Sequence, residues 1–151
     1  LKLNNILFDS NGNGLCLIDL DTLAYMNIPV ELGDALRSWC NPFGEAKASS
    51  EFCMEHYEAS LSGYVAGGGG FLEPDEVVAI PDAVETIALE LSIRFLADAL
   101  EESYFGWDKT NFPSAGVQNL LRAKSQLSLA TSFASQKDQA QKLIKEIFVG
   151  F

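Results

Sequence analysis

Apolar positions follow two different rhythms along this chain. Two short runs come first, Asn5 to Phe8 and Leu15 to Leu20, joined by Asp9-Ser10-Asn11-Gly12-Asn13-Gly14. Asn-Gly and Gly steps supply the positive backbone angles of a tight turn, so the pattern predicts an antiparallel β-hairpin. Beyond Pro29 the spacing turns helical: Val30, Leu32, Ala35, Leu36 and Trp39 fall on one face, and Asn41-Pro42 stops the run. Ser49 to Val65 reads as a second helix, capped by Ser49 or Ser50 and ended by Gly67 to Gly70. Pro74 stands near the start of another, with Glu73, Asp75 and Glu76 at its positive end. Ile80 to Leu100 is the longest periodic stretch; Ile87, Leu91, Phe95 and Leu100, beside Ala88, Leu96 and Ala99, predict a wide apolar stripe. Tyr104 to Ala115 reads as an irregular loop. Val117 to Ala130 and Ser135 to Phe148 are the last predicted helices, with Ser135 as N-cap of the second. The expected fold class is α+β, mostly α: one domain over residues 1–151 with a short hairpin and about five helices.

Composition supports a packed domain and narrows its partners. The chain has 151 residues, 48% of them hydrophobic, enough to bury a real core. A net charge of -11 opposes sequence-independent binding to a phosphate backbone, so no nucleic acid partner is expected. A nucleotide is still compatible, because metal ions can offset local repulsion. No apolar run approaches a bilayer span, and no basic segment followed by an apolar one marks a leader, so a cytoplasmic, non-membrane protein is expected. The opening at Leu1, directly in an apolar run, suggests a fragment or a truncated reading frame. Cys16, Cys40 and Cys53 lack CxxC spacing and read as reduced thiols rather than metal ligands. His56 sits among Glu55, Tyr57 and Glu58 with no nucleophile nearby and reads as a surface residue. The glycines at 67–70 lack the Lys and Ser/Thr of a phosphate-binding loop and read as a connection between helices.

Chemistry gathers at the open end of the hairpin. Strand pairing brings Asn5 beside Asp19, with Asp21 just beyond. An amide oxygen and a carboxylate converging without thiols or imidazoles suit a hard cation such as Mg2+, which takes few protein ligands and keeps positions for water and phosphate. Polar residues around a turn are common, and a plain polar hairpin end is the competing explanation.

Longer strings extend the picture. Leu1-Lys2-Leu3-Asn4-Asn5-Ile6-Leu7-Phe8 resembles the end of the catalytic loop of kinase-like phosphotransferases, H-x-D-x-K-x-x-N and an apolar strand. Leu17-Ile18-Asp19-Leu20-Asp21 resembles the I-D-[FLW]-[DE] element of small-molecule kinases, and Gly33-Asp34-Ala35-Leu36-Arg37 a third element, G-D-[AM]-[IL]-R. Glu90 to Leu100 with Tyr104-Phe105, then Asn119-Leu120-Leu121-Arg122-Ala123 with Gln126-Leu127, continue the likeness more weakly. Together these resemble the aminoglycoside phosphotransferase and choline kinase-like family, most of all its N-acetylhexosamine 1-kinase-like branch.

The resemblance implies a protein-kinase-like C-terminal lobe, ATP and Mg2+ as cofactors, and a sugar or amino sugar hydroxyl as acceptor. It implies that Asn5 and Asp19 hold the metal and that Lys2 neutralises charge on the transferred phosphoryl group. Asp21 would act near the site as a cap or supporting group, and Asp34 would fix the catalytic loop. Arg94 and Tyr104 match sugar-contacting positions, although Arg94 could equally pair with Glu90 one turn earlier. The general base, the aspartate of H-x-D, would precede Leu1, as would the small lobe, so this chain alone is expected to be inactive. Related folds also use aminoglycosides, choline, homoserine and methylthioribose, and fold does not fix the acceptor. The contrasting expectation is a non-catalytic binding or regulatory domain descended from such a kinase.

Overall fold

In a computed structural model, residues 3–21 and 24–148 are described. They form one antiparallel hairpin followed by five α-helices: β1 (Ile6–Phe8), β2 (Gly14–Leu17), α1 (Ile28–Trp39), α2 (Met54–Tyr64), α3 (Pro74–Glu101), α4 (Ala115–Ser135) and α5 (Lys137–Ile147). The mostly helical class expected from the sequence is what the fold has. Lys2 lies outside the described residues.

Three helices make the frame: α3 packs along both α1 and α4. The approach to α1 is close because Gly33 has no side chain; a Cβ there would come within 2.8 Å of the Ala83 backbone. Against α4, Ser92 donates to the Ala123 carbonyl at 2.9 Å, and the Asn119 amide donates to Asp98 at 2.9 Å. Those pairs run in opposite directions along the two helices, so α3 and α4 are antiparallel. Helices α2 and α5 close over one end, burying Leu36, Tyr57, Leu61, Ile80, Phe133 and Ile144 in a common core. Phe52 meets the Phe133 ring edge-on at 4.7 Å inside it.

Several element boundaries differ from expectation, each for a tertiary reason. The predicted second helix begins at Met54 rather than Ser49, with Cys53 as its N-cap. Residues 50–52 are drawn out by α4: Ser50 N–H donates to the Ser128 hydroxyl at 3.1 Å and Phe52 N–H to that of Ser132 at 3.0 Å. Backbone donors satisfied this way are not available to start a helix. The stretches around Pro74 and from Ile80 are one helix, α3, which continues through Pro81. A capping box starts it, Glu73 N–H donating to the Glu76 carboxylate at 3.0 Å.

The buried stripe of α3 runs through Val84, Ala88, Ser92 and Phe95, while Leu96 is 49% and Leu100 86% exposed. The stripe is therefore rotated from the expected one, because Ser92 and Asp98 face α4 to make polar contacts. Helix α4 extends from Ala115 to Ser135, and α5 starts at Lys137. Ser135 is not its cap; its hydroxyl donates back to the Ser132 carbonyl at 2.7 Å. Val65–Gly69 forms a wider helical turn in which Gly68 takes a φ of 105°, so the glycines end α2 as expected.

The hairpin stands apart from this frame. Ile6 pairs with Leu17, Leu7 with Cys16 and Phe8 with Gly14, and every residue of β2 is exposed. Two strands alone are marginal in water. The turn supplies an anchor, since the Asp9 carboxylate accepts the Asn11 and Asn13 N–H groups, each at 2.8 Å, and the Asn13 amide at 2.9 Å. The Asn13 amide, foremost among these donors, holds the Asp9 carboxyl below its ordinary range.

Gly33→Ala should destabilise the fold by about 1–3 kcal/mol in urea denaturation, because the added methyl meets backbone atoms of α3. Gly63→Ala, a helical position with open space around it, should be neutral or stabilising by up to about 1 kcal/mol. Equal effects of the two substitutions would remove close α1–α3 packing as the cause.

Candidate functional site

The open end of the hairpin is built by continuation of its ladder. The Ile18 N–H donates to the Asn5 carbonyl at 2.9 Å, one step beyond the Ile6–Leu17 pair. Asn5 closes a short 3-10 turn, Leu3–Asn5, before the strand. The chain then turns sharply at Asp19, which has a φ of 60°. Aspartate tolerates this left-handed region better than most residues, yet the conformation still carries strain. It swings the Asp19 carboxylate back toward Asn5: the Asn5 amide donates to Asp19 Oδ2 at 3.1 Å. The two side chains expected to share a site therefore meet.

As donors they offer hard oxygens only. A carboxamide turned about its last bond exchanges its N–H2 for its carbonyl oxygen, which would then face the same point as the Asp19 carboxylate. Among the described residues no group of three or more His, Cys, Asp or Glu side chains is placed to hold a metal. The residues fit an ion that takes few protein ligands, such as Mg2+, rather than zinc or a caged calcium. Asp21 is exposed beyond the turn and makes no hydrogen bond to Asn5 or Asp19.

Asp34 belongs to a different structure. Its Oδ1 accepts Arg37 Nε at 2.9 Å and Nη2 at 2.7 Å, one turn along α1. The Arg37 side chain is only 3% exposed; it also donates to Gln126 Oε1 at 3.2 Å and lies 3.6 Å from Glu45. One guanidinium thus ties α1, α4 and the turn at Gly44–Ala46 together. Burying such a charge is costly unless it is fully paired, and the paired groups make Arg37 a structural tie. The signal for it was an arginine beside Ala35 and Leu36 on a buried helix face.

Arg94 and Tyr104 also come together. The Arg94 guanidinium lies over the Tyr104 ring at 5.4 Å and the Phe105 ring at 5.5 Å. Its side chain is 45% exposed and lies 3.6 Å from Glu90, so the ion-pair alternative describes its position on α3. No hydrogen bond, ion pair or ring contact links Arg94 or Tyr104 to Asn5 or Asp19. The two pairs form separate clusters.

Asp98, not singled out by its sequence pattern, positions the second cluster. Its buried carboxylate accepts the N–H groups of Ser103, Tyr104 and Phe105 at 2.9, 2.8 and 2.9 Å. Asn119 braces the other side, and Arg122 donates to the Gly106 carbonyl at 2.8 Å. The loop bearing Tyr104 is thereby wrapped around one carboxylate. The Phe105 N–H, ahead of those of Ser103 and Tyr104, holds the Asp98 carboxyl below its ordinary range.

A shallow groove of about 560 Å³ lies elsewhere, between Ser49–Glu51 and the Lys124–Ser135 side of α4. None of the candidate residues lines it. No protein-family model matches the chain. No helix among the described residues is long and apolar enough to cross a membrane.

A folded pKa below the unfolded value, about 3.9 for aspartate, means that Asp98 contributes stability above that value and loses it as pH falls through the folded pKa. Hydrogen exchange should show the Ser103–Phe105 amides protected at pH 5 and opening in acid below about pH 4. Asp98→Asn should open the same amides already at neutral pH, with the α1–α3 amides unchanged. Unaltered loop protection in the variant would remove Asp98 as the anchor.

Proposed function

We propose that this chain is the helical C-terminal lobe of an ATP-dependent small-molecule phosphotransferase of the aminoglycoside phosphotransferase type, with a sugar or amino sugar hydroxyl as acceptor. The observation that carries the proposal is the convergence of Asn5 and Asp19 at 3.1 Å across the open hairpin end, with Asp19 held at a left-handed turn. These two residues stand at the metal-binding positions of the two motifs the sequence resembles.

In this role the Asn5 amide oxygen and the Asp19 carboxylate would hold Mg2+, which when bound neutralises charge on nucleotide phosphates. The chain's own contribution is positional. The ladder fixes Asn5, the strained turn aims Asp19, and neither side chain needs a large rearrangement to face a cation. Arg94 and Tyr104 offer a cation and an exposed aromatic face side by side, a chemistry suited to the hydroxyls and apolar face of a sugar.

A second proposal, a non-catalytic binding domain, draws on one observation: Leu7, Phe8, Leu15 and Leu17 of the hairpin are 46–67% exposed. Titration calorimetry distinguishes the two. The chain should bind ATP only when Mg2+ is present, and Asp19→Ala should weaken that binding at least about tenfold, the loss of a charged ligand contributing more than 1.4 kcal/mol. Asn5→Ala should weaken it less, and Asp21→Ala hardly at all. Nucleotide binding indifferent to both Mg2+ and Asp19 would contradict the metal role.

A further inference from the structure

Cys40 ends α1 and Cys53 opens α2, so the loop 41–52 leaves and returns at two thiols. The Cys53 N–H donates to the Cys40 carbonyl at 2.8 Å. Residues joined by such a backbone bond hold their Cα atoms on the order of 5–6 Å apart. Disulfides span roughly 4.4–6.8 Å between Cα atoms, so the backbone separation already suits one.

The two thiols differ in access. Cys40 is fully buried within the core, whereas Cys53 is half-buried. Burial, and then the neighbouring Cys53, pushes the Cys40 thiol far above its ordinary range, which keeps it protonated. Tyr57 completes the surroundings. Its hydroxyl is buried without a hydrogen-bond partner, and burial, then Cys40, raises its phenol in turn. The nearby histidine is engaged elsewhere, His56 Nδ1 lying 3.3 Å from the Trp39 carbonyl. Cys16 sits exposed on the hairpin and takes no part.

We infer that Cys40 and Cys53 are a redox pair that closes the 41–52 loop with a reversible disulfide, hydrogen peroxide serving as oxidant. The accessible Cys53, as thiolate, attacks one peroxide oxygen. The O–O bond breaks, leaving a sulfenic acid on Cys53 and a hydroxide that takes up a proton to become water. Cys40 then attacks that sulfur. The S–S bond forms as the S–O bond breaks, and the departing hydroxyl leaves with the Cys40 proton as a second water. Both thiols are oxidised and the peroxide takes the two electrons.

The closed loop is the one that carries Glu45 to Arg37 and Arg122 and lays Ser50 and Phe52 on α4. A bridge at its base would restrict the loop's open states. Oxidation would thus stiffen the corner that joins α1, α2 and α4, and a reducing environment would release it.

The test uses the full chain carrying Cys16→Ser, so that no exposed thiol competes. After mild peroxide treatment and alkylation in denaturant, the intact mass should fall by two hydrogens relative to the reduced, unalkylated chain. A non-reducing digest should yield a peptide linking Cys40 to Cys53. The thermal midpoint should rise by several degrees and return on adding dithiothreitol. Adding Cys53→Ser, at a half-buried position, should abolish the link and the rise while leaving the helical spectrum unchanged. Full alkylation of both cysteines after oxidation, or a sulfinic acid on Cys53 with Cys40 still free, would overturn the inference.

Discussion

Three helices approach more closely here than side chains would ordinarily allow, and the rest of the molecule is arranged around that approach. Gly33 lets α1 reach the Ala83 backbone, and Gly116 lets the start of α4 lie against the Ala99 carbonyl, where a Cβ would stand 2.6 Å away. Polar groups enter the same seams because backbone groups are within reach: Ser92 on the Ala123 carbonyl, Glu102 on the Gly116 N–H. Each such contact is modest, on the order of 1 kcal/mol, but leaving a buried partner unpaired costs more. The seams therefore specify helix register as well as holding the helices together. Arg37 extends the same logic, joining α1 to α4 through Gln126 and to the adjoining turn through Glu45.

The hairpin is governed differently. It contributes little to the core, and its shape comes from local hydrogen bonds: the Asp9 carboxylate in the turn and the Asn5 carbonyl at the open end. That independence makes the Asn5–Asp19 geometry a property of the hairpin itself rather than of helix packing. A metal site built there would depend on a strained aspartate and a short ladder. Tyr104, by contrast, depends on the frame, since its loop is wrapped on Asp98 and braced by Asn119 from α4.

Local sequence carried the architecture well and the boundaries less well. The hairpin was legible in Asn-Gly turn chemistry, and strand pairing placed Asn5 beside Asp19, although the left-handed turn that aims the Asp19 carboxylate was not legible. The end of α2 was legible in its glycines. Its beginning was not, because the groups that hold Ser50 and Phe52 extended are hydroxyls of Ser128 and Ser132, far along the chain. The stretch around Pro74 and the one from Ile80 were read separately, yet α3 joins them and runs through Pro81, which is fully buried. The burial of Asp98 was equally hidden, since a charged residue on a helix reads as surface until its partners are known. Arg94 takes the ion-pair alternative offered for it, half-exposed beside Glu90 and over two rings.

The central claim is that Asn5 and Asp19 together receive a divalent cation. Manganese substitutes for magnesium at oxygen sites, and its unpaired electrons broaden nearby resonances. Substoichiometric Mn2+ added to the isotopically labelled chain should broaden the Asn5, Ile18 and Asp19 amides first, and excess Mg2+ should restore them. Broadening spread over the exposed acidic side chains of α3, with the open end of the hairpin untouched, would contradict the account.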